Sequence, residues 1–209
     1  MTEPSVFIVS APSGAGKTSL LRALLEAVPQ ITVAVSHSTR PIRSGERDGV
    51  DYYFVQPAVF QRMAAEGAFL EHARVFDYWY GTSRLVVERE WAQAKDVILE
   101  IDWQGARQIR ECLPQCVSVF ILPPSLEALH CRLTQRGEDE TAVIERRMRD
   151  AANEISHYAE YDYLIVNDDF GKALSDLQTI VRARRLRSSV QKHALAHTLR
   201  SLMARSPLV

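Results

Sequence analysis

The stretch from Val6 to Leu20 reads VFIVSAPSGAGKTSL, an apolar run followed by a glycine-containing turn that closes on Gly16-Lys17-Thr18. A loop that encloses phosphate reads G-x-x-x-x-G-K-[ST], and each part has its own duty. Permissive backbone lets N–H groups turn inward, the lysine reaches the outer phosphates, and the hydroxyl binds Mg²⁺. Gly14, Gly16, Lys17 and Thr18 fill these duties, while Ala11 stands where the first glycine is usual. That position lies at the strand's exit, outside the tight curl, where alanine fits if its φ stays negative. Together with Pro12, Ser13, Ala15 and Ser19 these residues form a candidate nucleotide-phosphate loop, and a helix starting near Lys17 would turn its free N–H groups and positive end on the phosphates.

Three further stretches carry chemistry beside that loop. In SHSTRPIRSGERDGVDYYF, Arg40 and Arg43 lie three apart around Pro41, a spacing that lets two guanidinium forks meet one doubly charged phosphate. Ser36 and Tyr52 add neutral donors there. In FLEHARVFDYWYGTSR, Glu71 ends a short apolar run, which is expected to point its carboxylate into a cleft. A carboxylate accepts from both N1–H and N2–H₂ of guanine, whereas adenine would meet it acceptor to acceptor, and unpaired polar groups discriminate strongly. Thr82 or Ser83 can donate to the guanine O6. In VILEID, Asp102 closes an apolar strand at its carboxyl end, where open α/β sheets keep their sites and where an aspartate commonly orders Mg²⁺ and its waters. Glu100 shares its face.

The elements that must position these residues alternate. Val6–Val9, Val33–Val35, Val97–Ile101, Val117–Leu122 and Tyr163–Val166 read as buried strands, with helical spacing over Thr18–Val28, Ser83–Lys95, Trp103–Cys112, Leu126–Gln135 and from Phe170 onward. Such alternation predicts an α/β fold, a mainly parallel sheet with helices on both faces. Two stretches break the rhythm. From His37 to Gly81 the chain turns polar and aromatic, with VDYYFV suited to exposed antiparallel strands, and from Gly137 to Tyr158 it reads as a charged helix, part of a lid.

The totals exclude several classes. A chain of 209 residues with 25 Lys and Arg against 26 Asp and Glu is neither a disordered tail nor a strongly basic nucleic-acid binder. No nucleic-acid or membrane partner is expected. The seven basic residues from Arg182 to Arg205, with no acid among them, suit a solvated helix face or a contact between copies, so a homo-oligomer is compatible. Three cysteines suit reduced thiols, and no secretory signal or bilayer-length apolar run is read, so the cytoplasm is the expected location.

In order, SAPSGAGKTSL, SHSTRPIRSGE, VDYYF, FLEHARVFDYWYGTSR, ILEIDWQG and YLIVNDD closely resemble guanylate kinase of the bacterial type, from about Val6 to Arg187. The resemblance implies a nucleoside monophosphate kinase of the P-loop NTPase class, with Mg²⁺ as cofactor, ATP as donor and GMP or dGMP as acceptor. It implies an ATP-binding core (1–36, 91–125, 159–209), a small mixed α/β GMP-binding insertion (37–90) and a helical lid (126–158). Residue by residue, it makes Lys17 the loop lysine and assigns Ser36, Arg40, Arg43, Tyr52 and Tyr80 to the GMP phosphate. Glu71 and Thr82 become guanine readers, Asp102 serves base or metal, Arg136 and Arg147 are lid arginines on the transferred group with Arg132 beside them, and Asn167 lies near the ATP base. Two rivals stand against this reading: a kinase for another small phosphate acceptor, which would not need Glu71 and Thr82, and a catalytically silent scaffold module, which would not need the intact loop.

Overall fold

A computed structural model describes residues 4–75, 77–135 and 141–204. Arg136 and the start of the charged segment at Gly137 lie outside the described residues.

Five strands, β1 (Val6–Ser10), β2 (Ile31–Val33), β7 (Asp96–Glu100), β8 (Val117–Leu122) and β9 (Tyr163–Val166), form one sheet in the order β2-β7-β1-β8-β9, with every pairing parallel. Their unbroken Val, Ile and Leu runs follow from burial on both faces. Phe7 and Val9 of β1 face one core, with Leu20, Leu24, Leu177 and Val181 from helices α1 (Lys17–Ala27) and α7 (Phe170–Leu186). Val6 and Ile8 face the other, with Val87 of α3 (Arg84–Ala92) and Ile109 of α4 (Trp103–Cys112). The sheet predicted from alternation is therefore present, and β2 begins two residues before its expected start.

Residues 37–83 build a second, four-stranded sheet in the order β4-β3-β6-β5. Its long hairpin is β5 (Phe69–Val75) with β6 (Tyr78–Ser83), and β3 (His37–Ser38) pairs antiparallel with β6. The VDYYF stretch departs from expectation: only Tyr53–Phe54 forms a strand, β4, and it runs parallel to β3. The reason is local, because Asp51 accepts from the Arg47 N–H and Asp48 from the Phe54 N–H, which ties the preceding residues into a turn instead of a hairpin arm. Phe60 of α2 (Pro57–Ala65), Phe69, His72 and Trp79 stack behind this sheet, with Phe60 and Phe69 centroids 4.6 Å apart.

Helices α5 (Leu126–Gln135) and α6 (Thr141–Ser156) share a small core of their own, Leu129, Leu133, Ile144 and Ala151, with Met148 against it. The foot of α6 is anchored to α4: His157 stacks on Trp103 at 3.8 Å, and Glu160 takes Arg107 through two oxygens and Arg110 through one. The Arg107 guanidinium holds the Glu160 carboxyl down at about 2.

The long helix expected from Phe170 onward stops at Leu186, followed by α8 (Ser188–Ala194) and α9 (Ala196–Ala204). Its basic residues do structural work. Arg185 donates from Nε to Asp96 at 2.7 Å and from Nη2 to the Pro29 and Gln30 carbonyls, while the other Asp96 oxygen accepts the Ser5 N–H at 2.7 Å. No described helix is long and apolar enough to cross a membrane. Asp96 is 6% exposed, so removing its charge leaves Arg185 and Ser5 short of an acceptor. Asp96→Asn is expected to lower unfolding stability by about 2–3 kcal/mol, read as a shift of the urea midpoint. The carboxyl ends of the strands should be undisturbed, because this clamp sits at the opposite end from Glu100 and Asp102.

Candidate active site

β1 ends where the chain must reverse, and it does so through two left-handed residues, Gly14 and Gly16, both at φ +91°. A side chain at Gly14 would press on Leu129 and Leu133, and one at Gly16 would collide with the Asn167 amide. Among the described residues only Gln30 and Ala94 are non-glycines at positive φ, so Ala11 takes an ordinary backbone conformation, as its place at the strand exit requires. Lys17 opens α1, and its ammonium lies 3.5 Å from Glu100, which also accepts the Thr18 hydroxyl at 3.3 Å.

The loop lines a cavity of about 350 Å³ together with Ser36, Arg43 and Tyr52 from the segments flanking β3 and β4, Glu71 from β5 and Tyr80 from β6. Glu71 owes its direction to a bulge. Phe69 pairs with Ser83 and Glu71 with Thr82, so Leu70 is an extra residue in β5. The bulge lets Phe69 and His72 both join the aromatic stack, while Glu71, Ala73 and Val75 face the cleft. Glu71 is 4% exposed, and burial pushes its carboxyl up to about 7; the Thr82 hydroxyl, donating at 2.6 Å, opposes this and the nearby Asp102 charge adds to it. The folded value lies above the ordinary 4.5, so the folded chain holds the extra proton between about pH 4.5 and 7. This carboxyl therefore costs stability as pH rises through that window.

Asp102 caps α4, accepting the Gly105 N–H at 3.0 Å and the Gln104 amide at 2.9 Å, and it still lines the cleft. Arg40 stands behind the cleft wall: it is 8% exposed, donates to Glu46 at 2.7 Å and to the Pro41 carbonyl at 2.8 Å, and lies over the Tyr52 ring. Thr82 is fully buried and orients Glu71, so its proton is already committed. Asn167 serves as a brace, its amide donating to the Ala15 carbonyl at 2.7 Å while its own carbonyl accepts from Arg132 at 2.9 Å. Among the described residues lining the cavity, Ala15, Arg40, Thr82, Arg132 and Asn167 are not found; Arg147 sits half-buried on α6.

Two residues of the site escaped the sequence reading. Glu154 of α6 lines the cavity and, like Glu71, is pushed up to about 7 by burial, with Lys17 opposing and Asp102 and Asp150 adding to the rise. It stands seven residues after Arg147, which places both on one helix face, and that spacing was a signal available in the sequence. Gly105 is the other: a Cβ there would lie 2.5 Å from a Glu71 carboxylate oxygen. Only the closeness of α4 to β5 reveals it.

Thr18 and Glu100 offer hard oxygen donors beside the loop, which suits Mg²⁺, an ion that keeps several waters and takes its remaining ligands from phosphate. Among the described residues no cluster of three or more His, Cys, Asp or Glu is arranged to hold a metal by itself.

The pattern of the guanylate kinase family matches residues 3–184. The chain belongs to the guanylate kinase family. It is 59% identical to a guanylate kinase of Alkalilimnicola ehrlichii, over 95% of this chain and 98% of that one, and 56% identical to a guanylate kinase of Chromohalobacter salexigens, over 96% and 94%. The crystal structure of guanylate kinase from Anaplasma phagocytophilum superposes with a TM-score of 0.75 at 35% identity, covering 91% of this chain and 90% of that one.

Within this guanylate kinase fold Gly105 makes a clean test. Gly→Ala inside a helix gains up to about 1 kcal/mol, so Gly105→Ala should leave the thermal midpoint nearly unchanged. The collision with Glu71 should raise KM for GMP about tenfold or more (about 1.4 kcal/mol of binding) with KM for ATP unmoved, as steady-state kinetics with each substrate varied will show.

Proposed function

We propose that the chain transfers the γ-phosphoryl group of ATP to GMP or dGMP, giving ADP and GDP or dGDP, with Mg²⁺, in purine nucleotide metabolism of the cytoplasm. One observation carries this reading: the phosphate loop and the buried Glu71 line the same cavity.

An oxygen of the GMP phosphate attacks the γ-phosphorus, the new P–O bond forms as the bond to the β-phosphate oxygen breaks, and ADP leaves with that oxygen. The acceptor is already anionic near pH 7, so no strong base is needed, and the residues act by placement and charge. The ammonium of Lys17 leaves Glu100 for the β- and γ-phosphates, and the loop N–H groups from Ser13 to Thr18 hold the rest of the donor. Thr18 and, directly or through water, Glu100 or Asp102 would hold Mg²⁺, which when bound would supply charge neutralisation for the phosphates. Arg43, Ser36, Tyr52 and Tyr80 grip the acceptor phosphate, joined by Arg40 once it gives up Glu46. Glu71 accepts both donors of the guanine edge, and Thr82 fixes the rotamer that does so. Arg147 and Arg136 close from the lid while Arg132 keeps its bond to the Asn167 carbonyl at the lid's root, and a lid that closes only over both substrates keeps water from taking the phosphoryl group. In this division 37–90 reads the acceptor, 126–158 closes, and the rest holds the donor.

ADP release measured with GMP, dGMP, AMP and UMP tests the assignment: turnover with the two guanine nucleotides at least about 100-fold above the others is expected, and equal use of AMP refutes it. Lys17→Ala should reduce kcat by about 100-fold or more with an unchanged far-UV spectrum.

Glu71→Gln should raise KM for GMP far more than for ATP, because the amide NH₂ replaces one carboxylate oxygen and meets one of the two guanine donors donor to donor. The pH profile adds a signed check. Guanine needs the carboxylate, so GMP binding to the protonated form must expel the proton. With the free group at about 7, the ionised fraction falls roughly eightfold from pH 7.5 to 6, and GMP affinity falls with it. The GMP phosphate titrates near pH 6 in every variant, so the extra pH dependence of wild type over Glu71→Gln, measured by calorimetry, is the part due to Glu71.

A further inference from the structure

At the amino-terminal end of the sheet, across the molecule from the phosphate loop, lies a second cavity of about 380 Å³. It is bounded by the start of β1, the ends of α3, α4 and α7, and the first turn of α8. Three of its lining residues hold four donor atoms with no acceptor: Ser5 Oγ, Trp91 Nε1 and both Nε and Nη1 of Arg184 are shielded from water and make no hydrogen bond among the described residues. Arg184 is 9% exposed, and its one bond, from Nη2 to the Gln115 carbonyl, is long at 3.3 Å. A buried donor left unpaired costs about 1–3 kcal/mol, more when charged, so four such atoms on three side chains around one cavity are a feature that needs an acceptor.

Neighbouring carboxylates are already engaged. Asp96 takes the Ser5 N–H and Arg185, and Asp162 takes the N–H and hydroxyl of Ser118. Among the described residues no acid lines the cavity and Arg184 is its one charged residue; Pro4, Val6, Leu113, Pro114 and Val190 give it apolar surface, beside Gln115, Ser189 and two cysteines. We propose that this cavity binds a small organic carboxylate with an apolar body, its head group accepting from Arg184, Trp91 and Ser5. One guanidinium and two neutral donors balance a single negative charge, and the planar fork matches a carboxylate through two parallel bonds. A phosphate monoester dianion would bring a second charge with no partner. The covered donors of Arg184, Ser5 and Trp91 must turn into the cavity to reach the head group, by side-chain rotation that for Arg184 gives up only the long bond to Gln115. A cavity of ~150 Å³ takes benzene, so about fifteen non-hydrogen atoms set the upper size of the ligand.

The test uses the full chain saturated with GMP and ADP, which keeps the nucleotide cleft occupied, and 2-naphthoate as the probe. Ligand-observed NMR titration and thermal shift should show naphthoate binding at least tenfold tighter than 2-naphthamide, its neutral isostere, and than 2-naphthyl phosphate. Arg184→Met should weaken naphthoate at least tenfold while keeping the wild-type thermal midpoint or raising it, since it removes an unpaired buried charge. Trp91→Phe, which keeps an aromatic ring and deletes one donor, gives a milder variant with a several-fold loss. Phosphoryl transfer should be unaltered in both variants. Naphthoate binding no tighter than the amide, unaffected by Arg184→Met and Trp91→Phe, or displaced by raising GMP overturns the proposal. None of these results bears on the kinase assignment, whose own tests read acceptor choice.

Discussion

The loop after β1 can hold phosphate only if two consecutive odd turns of backbone stay put, and the structure holds them from behind. Gly14 and Gly16 both sit at φ +91°, a conformation with little intrinsic preference to persist in a free chain. Asn167 donates to the carbonyl between them, and the space a Cβ at Gly16 would need is filled by the same amide. Leu129 and Leu133 close against Gly14, and Arg132 ties α5 back to the Asn167 carbonyl. The end of β9, the root of the lid and the loop are thus one packed unit. Any lid movement must take place beyond α5's inner face, or it would disturb the phosphate site it serves.

The second sheet rests on a different constraint, the cost of burying a carboxylate. Glu71 is nearly enclosed, and its carboxyl is pushed up to about 7, so the site spends stability to keep an acceptor pair in a dry place. That cost is tolerable because the second sheet is rigid for other reasons: the aromatic stack behind it and the bulge at Leu70 fix the strand before Glu71 is considered. Thr82 then selects the rotamer, and Gly105 leaves the room. Deleting any one of these would give the carboxylate a cheaper place to be.

What could be read from the sequence follows from range. The five sheet strands were legible because burial on both faces writes a continuous apolar run, and Trp103–Cys112 and Leu126–Gln135 came out with their observed bounds because their apolar spacing is regular and their ends are capped or broken locally. The loop was legible because glycine, lysine and hydroxyl duties are all local. The two-residue parallel strand at Tyr53 was not, since Asp48 and Asp51 bend the chain by side-chain bonds that alternation does not record. Arg40 behind the wall, Asn167 as a brace and Gly105 beside Glu71 depend on contacts 6, 152 and 34 residues away or on helix placement, and residue type alone cannot tell a ligand from a support.

The charge of the cleft completes the physical picture. Glu71, Glu100, Asp102 and Glu154 face Lys17 and Arg43 there, an excess of acid in a pocket read as binding two polyanions. Ionised together, these carboxylates would repel phosphate, because at short range and low polarity each like-charge pair costs several kcal/mol. Two of them, Glu71 and Glu154, are held near 7 by burial, which trims the repulsion, and Glu100 is neutralised by Lys17 and the Thr18 hydroxyl. Once a phosphate claims Lys17, Glu100 loses its partner, and the balance is restored only by a cation at Thr18 or by arginines brought in from the lid. The same acids that hold the lysine in place therefore make donor binding depend on what arrives with it. On this argument a bare triphosphate is a poor ligand, and the closed, fully charged-matched state belongs to the complete set of substrates.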